Sequence, residues 1–342
     1  MKKIALIILI FISVILLIFF VLKRSHRENR FSELKNYKKY TNDTLILQDT
    51  KPLSTDAIRL FFFDSSLYVV TSQGAYKLNS HLEIDKSLLG EHKGNSVWSI
   101  FRKGDTTYFL FYPSGILLKQ FGTTNQEIKL PEVYHNGTLL GNNIVGFYTK
   151  KSIPHLQYFD LISHKVVTDI DLTNLFKNEK GFVNNECFAE AVEGNFATVD
   201  DTKIIFYCYF NSYFIELNKT GFPNLKQGID SLSLPKAKMV TTEINKDVTI
   251  SKCTLEDERY IVLYAYGSKQ NYYSLSNIKV KSIGTKSIDV YDAIGFKYKY
   301  SIKIPARQNT EIDYFSVDNE GKTFYILYRD GNLSKFVLSK RN

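Results

Sequence analysis

The side chains best placed to do chemistry in this chain are polar groups that stand just before apolar runs. Asp56, Asn95, Asn136, Glu193, Asp247 and Glu311 each precede such a run, and Asn195 and Asp313 come two residues after Glu193 and Glu311. Residues two apart on a strand point to the same side, so each of those pairs projects together. Carboxylates and amide oxygens gathered in a ring suit a hard cation such as Ca²⁺. The same residue types also make turns ahead of strands, so the pattern alone leaves both readings open. His135, beside Asn136, is the histidine best placed to serve as acid, base or ligand; the others fall in the N-terminal linker, in turns or at strand edges. No G-x-S-x-G elbow, H-E-x-x-H helix, phosphate-binding loop or G-x-G-x-x-G fingerprint occurs, so nucleophilic and nucleotide chemistry have no support. Tyr272 and Tyr273, in a polar stretch after the fifth repeat's main strand, are read as an exposed aromatic pair for partner contact.

The elements that must position these groups come from an internal repeat. Six times an apolar strand is followed by an acidic or Gly/Asn turn, a stronger apolar strand and a shorter third strand. The middle strands read from Leu67, Tyr108, Ile144, Ile204, Tyr260 and Phe324, and the later repeats carry insertions near 171–192, 221–246 and 267–286. Glu193–Asp201 also aligns without gaps on Glu311–Asn319. Repetition on this scale marks a radial or solenoid array, in which no unit buries its apolar face alone. The last repeat offers three strands, and a fourth is available at the other end in Thr44–Gln48, just ahead of the first repeat. An N-terminal strand completing the C-terminal unit would close a ring, which favours a six-bladed β-propeller over two stacked β-sandwiches. In such a ring the polar groups above gather at the mouth of a central channel.

Third strands such as Tyr158-Phe-Asp-Leu and Phe214-Ile-Glu-Leu give this rhythm a resemblance to six-bladed propellers of the TolB-like and NHL-like superfamily, over about residues 44–340. The resemblance implies a fold and a ligand face. It implies no activity, because that superfamily mixes binding scaffolds with hydrolases and lyases.

Ahead of the repeats, Ile4–Leu22 is an uncharged apolar run of 19 residues, close to the length that crosses a bilayer. It ends in Val21-Leu22-Lys23-Arg24 without the small residues of a cleavage site, so it reads as a transmembrane helix kept as an anchor. The organisation expected is an anchor at 1–22, a basic juxtamembrane linker at 23–43 and an all-β propeller at 44–342. Nine basic residues against Glu28 and Glu33 within 1–40 account for most of the net charge of +9. The remainder is close to neutral, which excludes the basic patch of a nucleic-acid binder. The basic flank downstream of the span argues for a cytoplasmic domain, while the short Met1-Lys2-Lys3 start argues for export; an extracytoplasmic propeller is the reading taken. Cys187, Cys208 and Cys253 lack metal or redox spacing; one bridge, between Cys187 and Cys208, is compatible with the repeats, and three unpaired apolar cysteines is the plainer reading. The function expected is a membrane-tethered scaffold at the cell envelope that recognises a protein, peptide or glycan. The alternative is a metal-dependent hydrolase or lyase that uses the channel-mouth ring.

Overall fold

The computed structural model describes residues 38–342 except 54–56, 91–94, 199–201, 231, 246–247, 256–259, 266–269, 279–284, 306–309 and 340–342. Residues 40–342 form one compact unit, separate from 1–39. The apolar segment 4–22 lies outside the described residues, and among those described no helix is long and apolar enough to cross a membrane.

Among the described residues the first strand is β1 (Thr44–Pro52), and six four-stranded antiparallel sheets are built in all. Blade one holds β2 (Ala57–Phe63), β3 (Ser66–Thr71), β4 (Gly74–Leu78) and β5 (Ile84–Gly90). Blade two holds β6 (Ser96–Lys103), β7 (Thr106–Tyr112), β8 (Ile116–Phe121) and β9 (Thr124–Lys129). Blade three holds β10 (Asn136–Leu140), β11 (Asn143–Lys150), β12 (Ile153–Asp160) and β13 (Lys165–Asp171). Two short helices come next, α1 (Leu172–Phe176) and α2 (Phe188–Ala191); Asp171 caps the first by accepting from the Thr173 N–H at 2.7 Å. Blade four holds β14 (Gly194–Thr198), β15 (Lys203–Cys208), β16 (Tyr213–Asn218) and β17 (Asn224–Gln227). A separate hairpin, β18 (Ala237–Asn245) and β19 (Val248–Leu255), precedes blade five, which holds β20 (Tyr260–Ala265), β21 (Asn271–Ile278), β22 (Thr285–Asp292) and β23 (Tyr298–Lys303). Blade six is β24 (Ile312–Val317), β25 (Thr323–Tyr328) and β26 (Asn332–Ser339), completed by β1 in the order β1-β26-β25-β24. The closing strand expected from Thr44–Gln48 is therefore present, in antiparallel register from Thr44 opposite Ser339 to Pro52 opposite Asn332.

Apolar wedges between neighbouring blades hold the ring together. Val70, Phe109, Phe111 and Leu118 pack between blades one and two, and Leu110, Leu117, Tyr134 and Ile144 between two and three. Val145, Phe147, Ile204 and Phe206 fill the next interface, together with Phe176 and Phe188 from the helices. Leu275, Val290, Phe315 and Ile326 join five to six, and Leu60, Val69, Leu327 and Leu333 join six to one. Between blades four and five the filling is aromatic: Phe296 lies 4.9 Å from both Phe214 and Tyr291 and 5.6 Å from Tyr272.

Blade five differs from its sequence reading. The run at Tyr260 is the innermost strand and not the middle one, and the supposed insertion at 267–286 contains the second strand, β21. Tyr272 and Tyr273 are consequently buried in β21 and not exposed on a loop. Neighbouring strand residues point to opposite faces, so Tyr272 fills the wedge toward blade four while Tyr273 packs on Phe324 of blade six at 5.5 Å. The cysteines also pair differently: Cys187 bonds Cys253 of β19, with Cα atoms 5.4 Å apart, and Cys208 is the free, buried one. The bond fastens the inserted hairpin to the segment that leads into α2.

Candidate functional site at the channel

All six inner strands run the same way, so the ring has an entry face, where they begin, and an exit face, where they end. Three of them carry a register shift near the entry face: β2 between Ala57 and Arg59, β6 between Val97 and Ser99, and β24 between Ile312 and Tyr314. An extra residue in a strand turns the side chains beyond it toward the other face. In β2 and β24 the residues after the shift are Arg59 and Tyr314, and both take part in bonds between non-adjacent blades.

Arg59 is only 6 % exposed. Its Nη1 donates to Asn136 Oδ1 of blade three at 2.5 Å, and Asn136 Nδ2 donates to the Gly194 carbonyl of blade four at 2.6 Å. Asn195 Nδ2 in turn reaches the Tyr314 hydroxyl of blade six at 3.0 Å. The first and last of these links join non-adjacent blades and the second joins neighbours, so together they tie the entry end of the channel. The guanidinium also lies over the Trp98 ring, 4.6 Å from its centroid, where the negative face of the indole stabilises a cation.

Around this cation stands a half-buried aromatic rim. Trp98 packs on Tyr112 at 5.4 Å, and Tyr112 on His135 at 5.5 Å. His135 also meets Phe147 edge-on at 5.8 Å, and burial pulls its imidazole below the usual histidine range. It is accordingly neutral at pH 7. Tyr209 completes the rim; burial raises its phenol, while the nearby Arg59 charge opposes that rise. Glu193 is half-buried, and its carboxyl is raised chiefly by burial and then by Glu190, against the pull of Arg59.

Below the Asn195–Tyr314 link lies a cavity of about 320 Å³ that continues to the exit face. Its wall carries Ser99, Thr138, Thr198 and Ser316, and it reaches the turn residues Asp64 and Asn319. Thr138 and Thr198 share a hydroxyl hydrogen bond of 3.0 Å. The channel is thus a polar-lined well with its floor toward the entry face.

No protein-family model and no curated protein matches the sequence. Solved structures do resemble the fold. The Pan2 WD40 domain of Neurospora crassa superposes with a TM-score of 0.51 at 8 % identity, over 89 % of this chain and 98 % of that one. A virginiamycin B lyase from Staphylococcus aureus gives 0.51 at 11 % identity, over 86 % and 100 %. A chain of a mitotic checkpoint complex gives 0.52 at 11 % identity, over 86 % and 95 %. At identities this low the likeness shows the propeller fold alone.

The polar groups named from the sequence do not share one ring. Asn136, Glu193 and Asn195 lie at the entry face, where Asn136 and Asn195 are bound into the inter-blade links. Asn95 stands half-buried just ahead of β6. Glu311 and Asp313 instead both pair with Arg329, Asp313 at 3.0 Å. The β24 register shift is the reason: it gives the inward position to Tyr314, so the gap-free match of Asn195 to Asp313 fails in space. Asp56 and Asp247 lie outside the described residues, and the strand after Asp247 belongs to the inserted hairpin rather than to an inner strand. Among the described residues no group of three or more His, Cys, Asp or Glu side chains is placed to hold a metal ion. Motif reasoning misses Arg59, although one charge inside Ala57-Ile-Arg-Leu-Phe-Phe-Phe is itself a signal, since a lone cation in an apolar strand needs a buried partner.

Proposed function

We propose that this chain is a membrane-tethered propeller that recognises a protein, peptide or glycan partner at the cell envelope, through the entry face of its ring. The observation that carries the reading is Arg59 held under Trp98 and fixed by Asn136, inside a half-buried rim of Tyr112, His135 and Tyr209. Trp, Tyr and Arg are the residue types that dominate binding hot spots, and side chains already fixed in place lose little entropy on contact. The guanidinium and the rings together suit a partner group that is planar, acidic or rich in hydroxyls. The repeat rhythm that resembles TolB-like and NHL-like propellers supports the same use of the fold. Tethering rests on the apolar run 4–22. The Cys187–Cys253 disulfide supports an extracytoplasmic propeller, because such bonds persist in oxidising compartments.

The test is site-specific photo-cross-linking in cells that express the full chain. A photoreactive group at Tyr112 is expected to give a discrete adduct that Trp98→Ala abolishes, while the same group at Asn125, on the outer strand of blade two, gives none. Adducts of equal yield from both positions would overturn the assignment of the entry face.

A further inference from the structure

Arg59 and Arg329 both stand at the entry face, and their surroundings differ. Arg329 is well exposed, yet it is held by two carboxylates, Glu311 and Asp313. Arg59 is nearly enclosed, and among the described residues it makes no ion pair. Its polar contacts there are the bond to Asn136 and the seat against Trp98, which offers a cation a π face but no acceptor oxygen. A buried charge is ordinarily paired, so the arginine with the greater need has the fewer partners. Glu193 feels the Arg59 charge without neutralising it. Burial lifts its carboxyl further than Arg59 lowers it, the reverse of what a close ion pair does. The Nε and Nη2 atoms of Arg59 make no hydrogen bond among the described residues, and neither is sealed from solvent.

The amides of the mouth are already engaged. Asn136 uses Oδ1 on Arg59 and Nδ2 on the Gly194 carbonyl, while Asn195 uses Oδ1 on the Phe196 N–H and Nδ2 on the Tyr314 hydroxyl. A hydroxyl-rich sugar calls for several free donors and acceptors, and a phosphate dianion for more positive charge than Arg59 offers beside Glu193. What remains among the described residues is the donor fork of one guanidinium, walled by the rings of Trp98, Tyr112 and Tyr209. That combination fits a single carboxylate joined to an apolar body. We infer that the entry face takes the free C-terminal carboxylate of a peptide on Arg59, with the last side chain of that peptide among the rim aromatics. This rests on the entry-face reading above and names the group bound there. A chain terminus fits better than an Asp or Glu side chain because the guanidinium is nearly enclosed, and the end of a chain enters where a backbone running past does not.

Trp98 is the chain's single tryptophan and lies against Arg59, so its fluorescence reports on the site. The full chain in detergent micelles is titrated with acetyl-Gly-Gly-Phe bearing a free C-terminal carboxylate, with the same peptide as its C-terminal amide, and with a disaccharide ending in glucuronate. A saturable change in Trp98 emission is expected with the acid, and binding about tenfold or more weaker with the amide, which lacks the charge-assisted bonds. Glu193→Gln removes a carboxylate that shares the mouth, so it is expected to tighten the acid and leave the amide unchanged. Arg59→Met is expected to abolish the preference for acid over amide; the comparison of the two peptides on the unaltered chain decides the matter even if that variant fails to fold. Equal affinity for acid and amide overturns the carboxylate and leaves the entry face as a binding surface. A response to glucuronate and not to the peptide acid overturns the peptide as its source. Silence with all three probes, while the Tyr112 cross-link still forms, overturns the carboxylate and leaves the entry-face reading standing. Silence without the cross-link overturns both.

Discussion

Replacing Asn136 with Ala removes one side chain that serves two buried links. Its Oδ1 accepts from Arg59 at 2.5 Å and its Nδ2 donates to the Gly194 carbonyl at 2.6 Å. A neutral buried group that loses its partner costs about 1–3 kcal/mol, and a charged one costs more. Asn136 is buried, so water replaces neither link without reorganising the mouth. The two losses together come to about 3–5 kcal/mol. At roughly 2–3 °C per kcal/mol for a domain of this size, the melting temperature falls by about 6–15 °C. The assay is thermal unfolding of the purified chain followed by circular dichroism, with Asn125→Ala as control; that exposed residue of β9 changes stability by no more than about 0.5 kcal/mol. Arg59→Met closes a double-mutant cycle, and the paired change is expected to cost less than the two single changes summed, because both break the same link. A drop below about 2 °C in Asn136→Ala, or strict additivity with Arg59→Met, refutes the claim that these bonds tie the entry end of the ring.

Glu193→Gln should stabilise the protein at pH 7.5. The folded carboxyl is raised above its ordinary value by burial, so ionisation penalises the folded state above that raised value, and the penalty is relieved as pH falls toward the unfolded value. The gain is therefore expected to vanish near pH 4, and a gain independent of pH would contradict the assignment. Changing Cys187 and Cys253 to Ala opens a loop with a sequence separation of 66 residues. The chain-entropy cost is about 4 kcal/mol, to be read as a lower midpoint in urea. Added Ca²⁺ or chelator should leave the melting temperature unchanged, because the entry end is organised around the Arg59 cation and Glu311 and Asp313 are engaged by Arg329. A chelator-sensitive rise of several degrees would restore a cation site at the mouth.

The features legible in the sequence are those that depend on alternation and turn chemistry. Thr44–Gln48 is legible as the closing strand because the last repeat lacks one, and Asn136 and Asn195 are legible because they stand at strand starts. Blade five is not, because Val248–Leu255 and Tyr260–Ala265 both read as strands, rich in β-branched and aromatic residues. Only the neighbour each one pairs with separates an inserted hairpin from an inner strand. The register shift ahead of Tyr314 is equally hidden: one added residue exchanges the two faces of a strand without altering its composition. The partner of Cys253 is beyond reach for a related reason, since it is set by where the hairpin folds back.

The pairing of β1 with β26 bears on how the ring is made. Thr44 is among the earliest residues of the propeller to leave the ribosome, and its partner Ser339 is among the last. Until β26 is synthesised, the first strand has no mate and the ring stays open, with inter-blade apolar surface exposed. A contact spanning so much of the sequence closes slowly, because chain entropy must be given up before the pairing is gained. Truncation ahead of β26 would therefore do more than trim a blade: it would leave a sticky edge at each end of the arc. The interval before closure is when quality control has the most to grip.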